Sequence, residues 1–141
     1  MPFDGTGKPS TDASQATVVL SLMESFFDGG ARWGRRTYCT DDGKRCLLGA
    51  LEFARCEPGY RDDPALQYLA RAINLRQLTK GLPLSGETDP MTVIGFNDAF
   101  RRSYGDIADV LSQAKQLAAI DASHAVHAAE VTLAADSPAQ A

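Results

Sequence analysis

Apolar residues spaced three and four apart, in blocks cut by Gly-Gly and Asp-Pro pairs, constrain this chain more than any other feature. That spacing buries one side of a helix and does not fit the two-residue alternation of a half-buried strand. Val18, Val19, Leu22, Met23, Phe26 and Phe27 form the first block. Asp12 and Gln15 stand at capping-box spacing, which places the helix start near Thr11 or Asp12. Gly29-Gly30 closes it, because glycine accepts the left-handed backbone of a helix end. A second helix is expected from Cys46 to Cys56 with Leu47, Leu48, Leu51 and Ala54 inward; Gly49 and Ala50 in it mark the close approach of another element. Glu57-Pro58-Gly59 breaks the chain, and Asp63-Pro64 opens a third helix with the cap first and proline at the first helical position. Its expected buried face is Leu66, Leu69, Ile73, Leu75 and Leu78. After a Gly/Pro/Ser loop over 79–88, Asp89-Pro90 opens a short helix carrying Val93, Ile94 and Phe96 to Asn97-Asp98. Ser103 and Asp106 form another capping box, ahead of a long helix with Ile107, Val110, Leu111, Ala114, Leu117 and Ala118 inward.

Between the first two helices, Asp42-Gly43 is a strong hairpin signal, since a type I′ turn needs positive φ at both central positions. In that register Asp41 faces Lys44, Thr40 faces Arg45 and Cys39 faces Cys46. The expected fold is therefore one mostly α domain of about five helices, with a two-stranded β-hairpin at residues 37–46 inserted after the first helix. Residues 1–10 read as a flexible arm and 11–118 as the helical domain. Residues 119–141, rich in alanine and free of Lys and Arg, read as a helical extension reaching about Ala134 and fraying at Asp136-Ser137-Pro138.

At 141 residues, 44% hydrophobic and 23% charged, the chain has enough apolar surface for one core without metal or disulfide staples. The net charge of −4 argues against a protein whose whole surface grips nucleic acid, and leaves a local basic patch open. No apolar run is long enough for a membrane span, and the opening Met1-Pro2-Phe3-Asp4-Gly5 lacks a secretory pattern, so a cytoplasmic location is expected. Gly5-Thr6-Gly7-Lys8 is not a phosphate loop: Pro9 follows the lysine and Pro2 occupies the first glycine's place.

Trp33, the run Gly43-Lys44-Arg45-Cys46-Leu47-Leu48-Gly49-Ala50-Leu51, and Phe96-Asn97-Asp98 ahead of a capped helix carry a resemblance. The chain resembles a family of small bacterial and phage domains of uncharacterised function, with a Trp, a short Asp/Gly turn, Cys-x-x-Gly-Ala-Leu and a downstream Asn-Asp. The resemblance covers roughly residues 14–118. It implies a helical fold and a preserved Cys/Asn-Asp neighbourhood, and it brings no reaction; the alanine-rich tail departs from the pattern.

Three cysteines, Cys39, Cys46 and Cys56, make an odd set without Cys-x-x-Cys or a neighbouring His, so neither a disulfide framework nor a metal site nor a cofactor is expected. Cys46 stands where strand passes into helix, and amide N–H groups with Lys44 and Arg45 would favour its thiolate. With Asp98 and His124 it supplies the residue types for a thiol enzyme, although His124 and His127 lie in the weakly packed tail. The two histidines, with Asp121 and Glu130, read as a solvated polar strip.

The stronger candidate is a binding face. Arg32, Arg35, Arg36, Lys44 and Arg45, interleaved with Trp33 and Tyr38, leave a net +3 over residues 32–45 once Asp41 and Asp42 are counted. Guanidinium groups beside aromatic rings suit phosphates, nucleotides and acidic protein surfaces. Asn97 and Asp98 join that face if they turn toward the hairpin. The expected function is a small binding or adaptor protein that engages another protein, or an anionic ligand or nucleic acid, at this face. A thiol enzyme centred on Cys46 and a small-ligand or nucleotide domain are the alternatives.

Overall fold

The computed structural model describes residues 8–56 and 63–136, with side chains described over 12–56 and 63–124. Five helices follow in order: α1 (Lys8–Phe27), α2 (Leu47–Arg55), α3 (Pro64–Thr79), α4 (Asp89–Asp98) and α5 (Tyr104–Asp136), with a single 3-10 turn at Asp28–Gly30 after α1. The rest of the expected N-terminal arm (residues 1–7), the break at Glu57-Pro58-Gly59 and the end of the expected frayed tail lie outside the described residues, as does the side chain of His127.

The core forms where α5 lies along α1 and α3, while α2 and α4 close the other side. Leu20, Met23 and Phe27 of α1 meet Leu47, Leu48 and Leu51 of α2 and Ile107, Val110 and Leu111 of α5, all essentially without solvent contact. Two expectations about helix faces need correction. On α1 the buried row is Ala13, Ala16, Leu20, Met23 and Phe27, whereas Val18 and Leu22 are exposed and Val19 and Phe26 are half-buried. Small alanines let α5 approach closely, so the core takes the 13/16/20/23/27 row rather than the bulkier one. On α3 Leu66, Leu69 and Ile73 are buried, but Leu75 and Leu78 emerge where the helix runs past its neighbours.

Helix starts follow local chemistry. Pro9 falls in the first turn of α1, where a missing N–H costs nothing, and the helix begins at Lys8 rather than at Thr11 or Asp12. Asp63 caps α3 as expected, its carboxylate accepting the Ala65 amide at 2.8 Å, and it also pairs with Arg55 Nε at 2.7 Å. The capping box at α5 is present: Ser103 Oγ accepts the Asp106 amide at 3.3 Å and Asp106 Oδ2 accepts the Ser103 amide at 3.1 Å. The same carboxylate binds Arg76 at 2.7 Å and lies 3.6 Å from Arg102, tying α3 to the α4–α5 turn.

The expected hairpin is not there. Among the described residues there is no strand, only two isolated bridges, Cys39 with Arg45 and Trp33 with Arg45. Gly43 has the positive φ that Asp-Gly promised, at 89°, but Asp42 does not share it, so the type I′ turn does not form. Instead the Thr40 amide donates to Lys44 O at 2.8 Å and Gly43 N–H to Thr40 O at 3.0 Å. The loop thus gains one residue and Cys39 stands opposite Arg45, not Cys46. Arg45 divides its backbone bonds: its N–H goes to Arg32 O at 2.8 Å and its carbonyl receives Gly34 N–H at 3.0 Å. Shared between two short partners, the segment cannot extend a ladder.

Candidate functional site

One buried side chain is the hub that ties residues 31–46 to the helices. Asn97, at the end of α4, is only 1% exposed and uses all of its hydrogen-bonding capacity. Its Oδ1 accepts the Trp33 indole N–H at 2.8 Å and the Leu47 amide at 3.1 Å. Its Nδ2 donates to Gly34 O at 3.2 Å and to Asp98 Oδ1 at 2.9 Å. Asp98 Oδ1 also receives the Arg36 amide at 2.7 Å. One buried amide therefore joins the loop, the first turn of α2 and the end of α4.

Every sequence candidate can be placed against this clamp. Trp33 is half-buried with its ring 6.3 Å from that of Tyr104, so it belongs to the frame and not to an open face. Asn97 is sealed inside. Arg35 donates to Ala99 O at 3.2 Å, and Arg36 lies in the left-handed region at φ 62°. Arg32 covers the ring of Phe26 at 5.7 Å, and Arg45 covers that of Phe53 at 5.5 Å while donating to Gly49 O at 3.1 Å. Tyr38 and Lys44 are exposed. Gly49 shows why a helix former was not used there: a Cβ would collide with the Tyr38 carbonyl oxygen and come within 3.1 Å of the Arg45 Cβ.

The thiol candidates do not assemble. Cys46 is the N-cap of α2, 8% exposed, and its sulfur accepts the Gly49 amide at 3.4 Å. Burial pushes the thiol above its ordinary value, the amides of Gly49 and Leu48 offset part of that, and the Asp98 carboxylate adds to the rise. His124 is exposed on α5, twenty residues beyond Tyr104, or about 30 Å along the helix from the end that packs on Trp33. Cys39 and Cys56 are exposed, and all three cysteines are free.

Sequence reasoning passed over the α4–α5 turn. Phe100 is 76% exposed, Arg101 lies 5.4 Å from its ring, and Arg101 too is left-handed, at φ 63°. The bond from Arg35 to Ala99 O brings the loop's guanidinium to the residue before Phe100. The run Phe100-Arg101-Arg102 stands in the sequence, but its exposure does not, and Arg102 turns away to the Phe96 carbonyl at 2.6 Å. The described residues also line open grooves. One of about 370 Å³ runs between α3 and α5, where Arg76 is already paired with Asp106 and Asp109.

A profile of the family described as "Family of unknown function (DUF6197)" matches residues 30–117. The chain belongs to DUF6197. No curated protein and no solved structure matches it. The DUF6197 region contains the whole Asn97 clamp, the basic loop and the Phe100 turn, while α1 precedes it. Among the described residues no helix is long and apolar enough to cross a membrane.

Proposed function

We propose that this DUF6197 protein is a binding module that engages an acidic segment of a partner protein where residues 31–46 meet the α4–α5 turn. The observation that carries this reading is Phe100, the most exposed of the large apolar side chains among the described residues, standing next to Arg101, with the loop's Arg35 guanidinium on the carbonyl of the residue before it. Arg36 and Arg101 both hold left-handed backbone, a cost of about 1–2 kcal/mol for a residue with a Cβ, and such outliers gather at functional sites. Guanidinium groups beside an exposed ring suit carboxylates next to an apolar residue. Arg32, Tyr38, Lys44 and Arg45 extend the basic surface along the loop, and Trp33, Asn97 and Asp98 hold it from beneath. The chain's net −4, with Asp41 and Asp42 on the loop itself, opposes a long polyanion such as nucleic acid and favours a short acidic peptide.

The alternatives gain less. A thiol enzyme would need Cys46 opened and a base brought to it, and a ligand between the loop and Asn97 would have to displace that side chain's four hydrogen bonds. The test is a selection of displayed peptides of graded acidity, followed by anisotropy titration of the selected peptides against wild type, Phe100→Ala and R35E/R36E/R101E. Acidic peptides should be selected, with affinity falling roughly tenfold or more in both variants, since aromatic and Arg anchors dominate interfaces. Equal binding by the triple variant, or a preference for single-stranded nucleic acid over every peptide, would overturn the proposal.

A further inference from the structure

A second groove, of about 310 Å³, opens between α3 and α4 and runs on into the α4–α5 turn. Its floor is Ile73 and Phe96, both buried, with the exposed Met91 beside them. Glu87 precedes α4 and Ala99 follows it, and both line the groove, which therefore runs the length of a 10-residue helix, about 15 Å. The wall at residues 85–87 is built in. Ser85 Oγ lies 2.6 Å from the hydroxyl of the buried Thr92, the Ser85 amide donates to Asn74 Oδ1 at 2.9 Å, and the Glu87 amide donates to Ser85 Oγ at 3.2 Å. Gly95, in the middle of α4, lines the same groove and is exposed, and a Cβ added to it would meet nothing within 4 Å. Glycine weakens a helix relative to alanine, and no neighbour in the fold requires it here. Its bare backbone instead keeps the groove open over that turn of the helix.

We infer that this groove receives the continuation of the partner's acidic segment, an apolar residue followed by a basic one, in extended conformation. The inference rests on the acidic-segment reading and names what must adjoin the acids. Charge sets the order, because the two ends of the groove differ. At one end the Ala99 carbonyl holds the Arg35 guanidinium at 3.2 Å, and Phe100 and Arg101 follow in the chain. Arg102 forms the wall there, its guanidinium 3.8 Å above the Phe96 ring and donating to Phe96 O at 2.6 Å. At the other end Glu87 is exposed, and among the described residues its hydrogen bonds run through its backbone; Asp89 beyond it is exposed as well. A segment whose acids meet Arg35 and Arg101 thus meets apolar surface next and a carboxylate last, where a basic side chain is accepted and an acidic one repelled. A volume of about 310 Å³ over that length is too slender for a helix about 10 Å across, so the chain lies extended. At about 3.3 Å per residue, roughly four or five residues separate the last acid from the base. Every residue that lines the groove falls within the DUF6197 match.

Anisotropy titration with a fluorescein-labelled, selected acidic peptide tests this. The peptide is used alone, lengthened at its C-terminus by Ser-Leu-Ser-Lys, or lengthened at its N-terminus by the same residues in reverse order. One of the two lengthened peptides should bind roughly tenfold more tightly than the core peptide, the gain expected from burying one leucine. Gly95→Leu should remove that gain and leave the core peptide's affinity unchanged, with Tm unchanged or raised, since the added Cβ touches nothing in the fold. Glu87→Lys should remove most of the gain, and exchanging the tail's lysine for glutamate should restore it in that variant alone. If Gly95→Leu folds poorly, the charge exchange at Glu87 carries the test. A core peptide that binds while neither tail adds affinity, or a gain that survives Gly95→Leu or ignores the charge exchange, would overturn the inference and leave the acidic-segment reading standing. Failure of the core peptide itself to bind would overturn that reading, and the inference with it.

Discussion

Replacing Asn97 measures how far the loop depends on one amide. Asn97→Ala removes the acceptor of a buried amide (Leu47) and of the Trp33 indole, and the donor to Gly34 O. A buried polar group left without a partner costs roughly 1–3 kcal/mol, and the small cavity adds to that. Because water reaches the half-buried Trp33, the sum should fall at about 3–5 kcal/mol rather than at the full total for every group. Asn97→Asp separates hydrogen bonding from packing, because it conserves shape. It keeps the acceptor oxygen but turns the donor into a second oxygen facing Gly34 O and Asp98 Oδ1, and it buries a charge beside a carboxylate. At neutral pH it should destabilise at least as much as Ala. The introduced carboxyl would have its folded pKa raised by burial and by Asp98. Its penalty is therefore full above that raised value and shrinks as pH falls toward the ordinary Asp range near 4, where the protonated acid can donate again. Urea denaturation at pH 7 and pH 5 with an unchanged m-value measures all of this. Both variants within about 1 kcal/mol of wild type at pH 7 would refute the clamp as described.

Gly49→Ala should destabilise despite a helix-propensity gain of about 1 kcal/mol, since the new Cβ strikes the Tyr38 carbonyl; a rise in Tm would show that the loop gives way freely. Asp106 is held below the ordinary carboxylate value, chiefly by the Ser103 amide and then by Arg76 and Arg102. A depressed folded pKa adds stability that is present above the unfolded value near 3.8 and lost as pH falls through the folded value, so Asp106→Asn should lower stability by about 1–3 kcal/mol at pH 7 and flatten the acid limb of a stability–pH profile. Thiol labelling at neutral pH should modify the exposed Cys39 and Cys56 quickly and leave Cys46 protected until unfolding, as mass spectrometry of digested protein can check.

Helix order and the caps at Asp63 and Ser103–Asp106 were legible because each depends on residues within one turn of chain. The α1 face was not, because 18/22/26 and 20/23/27 are both helical rows and only the neighbouring helices decide which one is buried. The hairpin failed for a similar reason. Asp42-Gly43 favours a turn locally, yet Asp98 takes the Arg36 amide and Arg32 and Gly34 take the backbone of Arg45, all through contacts remote from the turn. Trp33, Cys46, Gly49 and Asn97 stood out in sequence, and the structure gives each a position in one framework: indole donor, helix cap, close approach and four-way amide. The residues that this framework presents, Phe100 and Arg101 above all, carry no motif, since exposure is a property of the finished surface.

A nitrogen-edited NMR titration of wild-type protein with a selected acidic peptide tests the proposed role most directly. The account predicts shifts concentrated at residues 35–38 and 98–102, with the indole N–H of Trp33 keeping its hydrogen-bonded position and the α3–α5 groove unmoved. Shifts centred instead on Cys46 and the Asn97 side chain, or in the groove around Leu75 and Lys80, would contradict it.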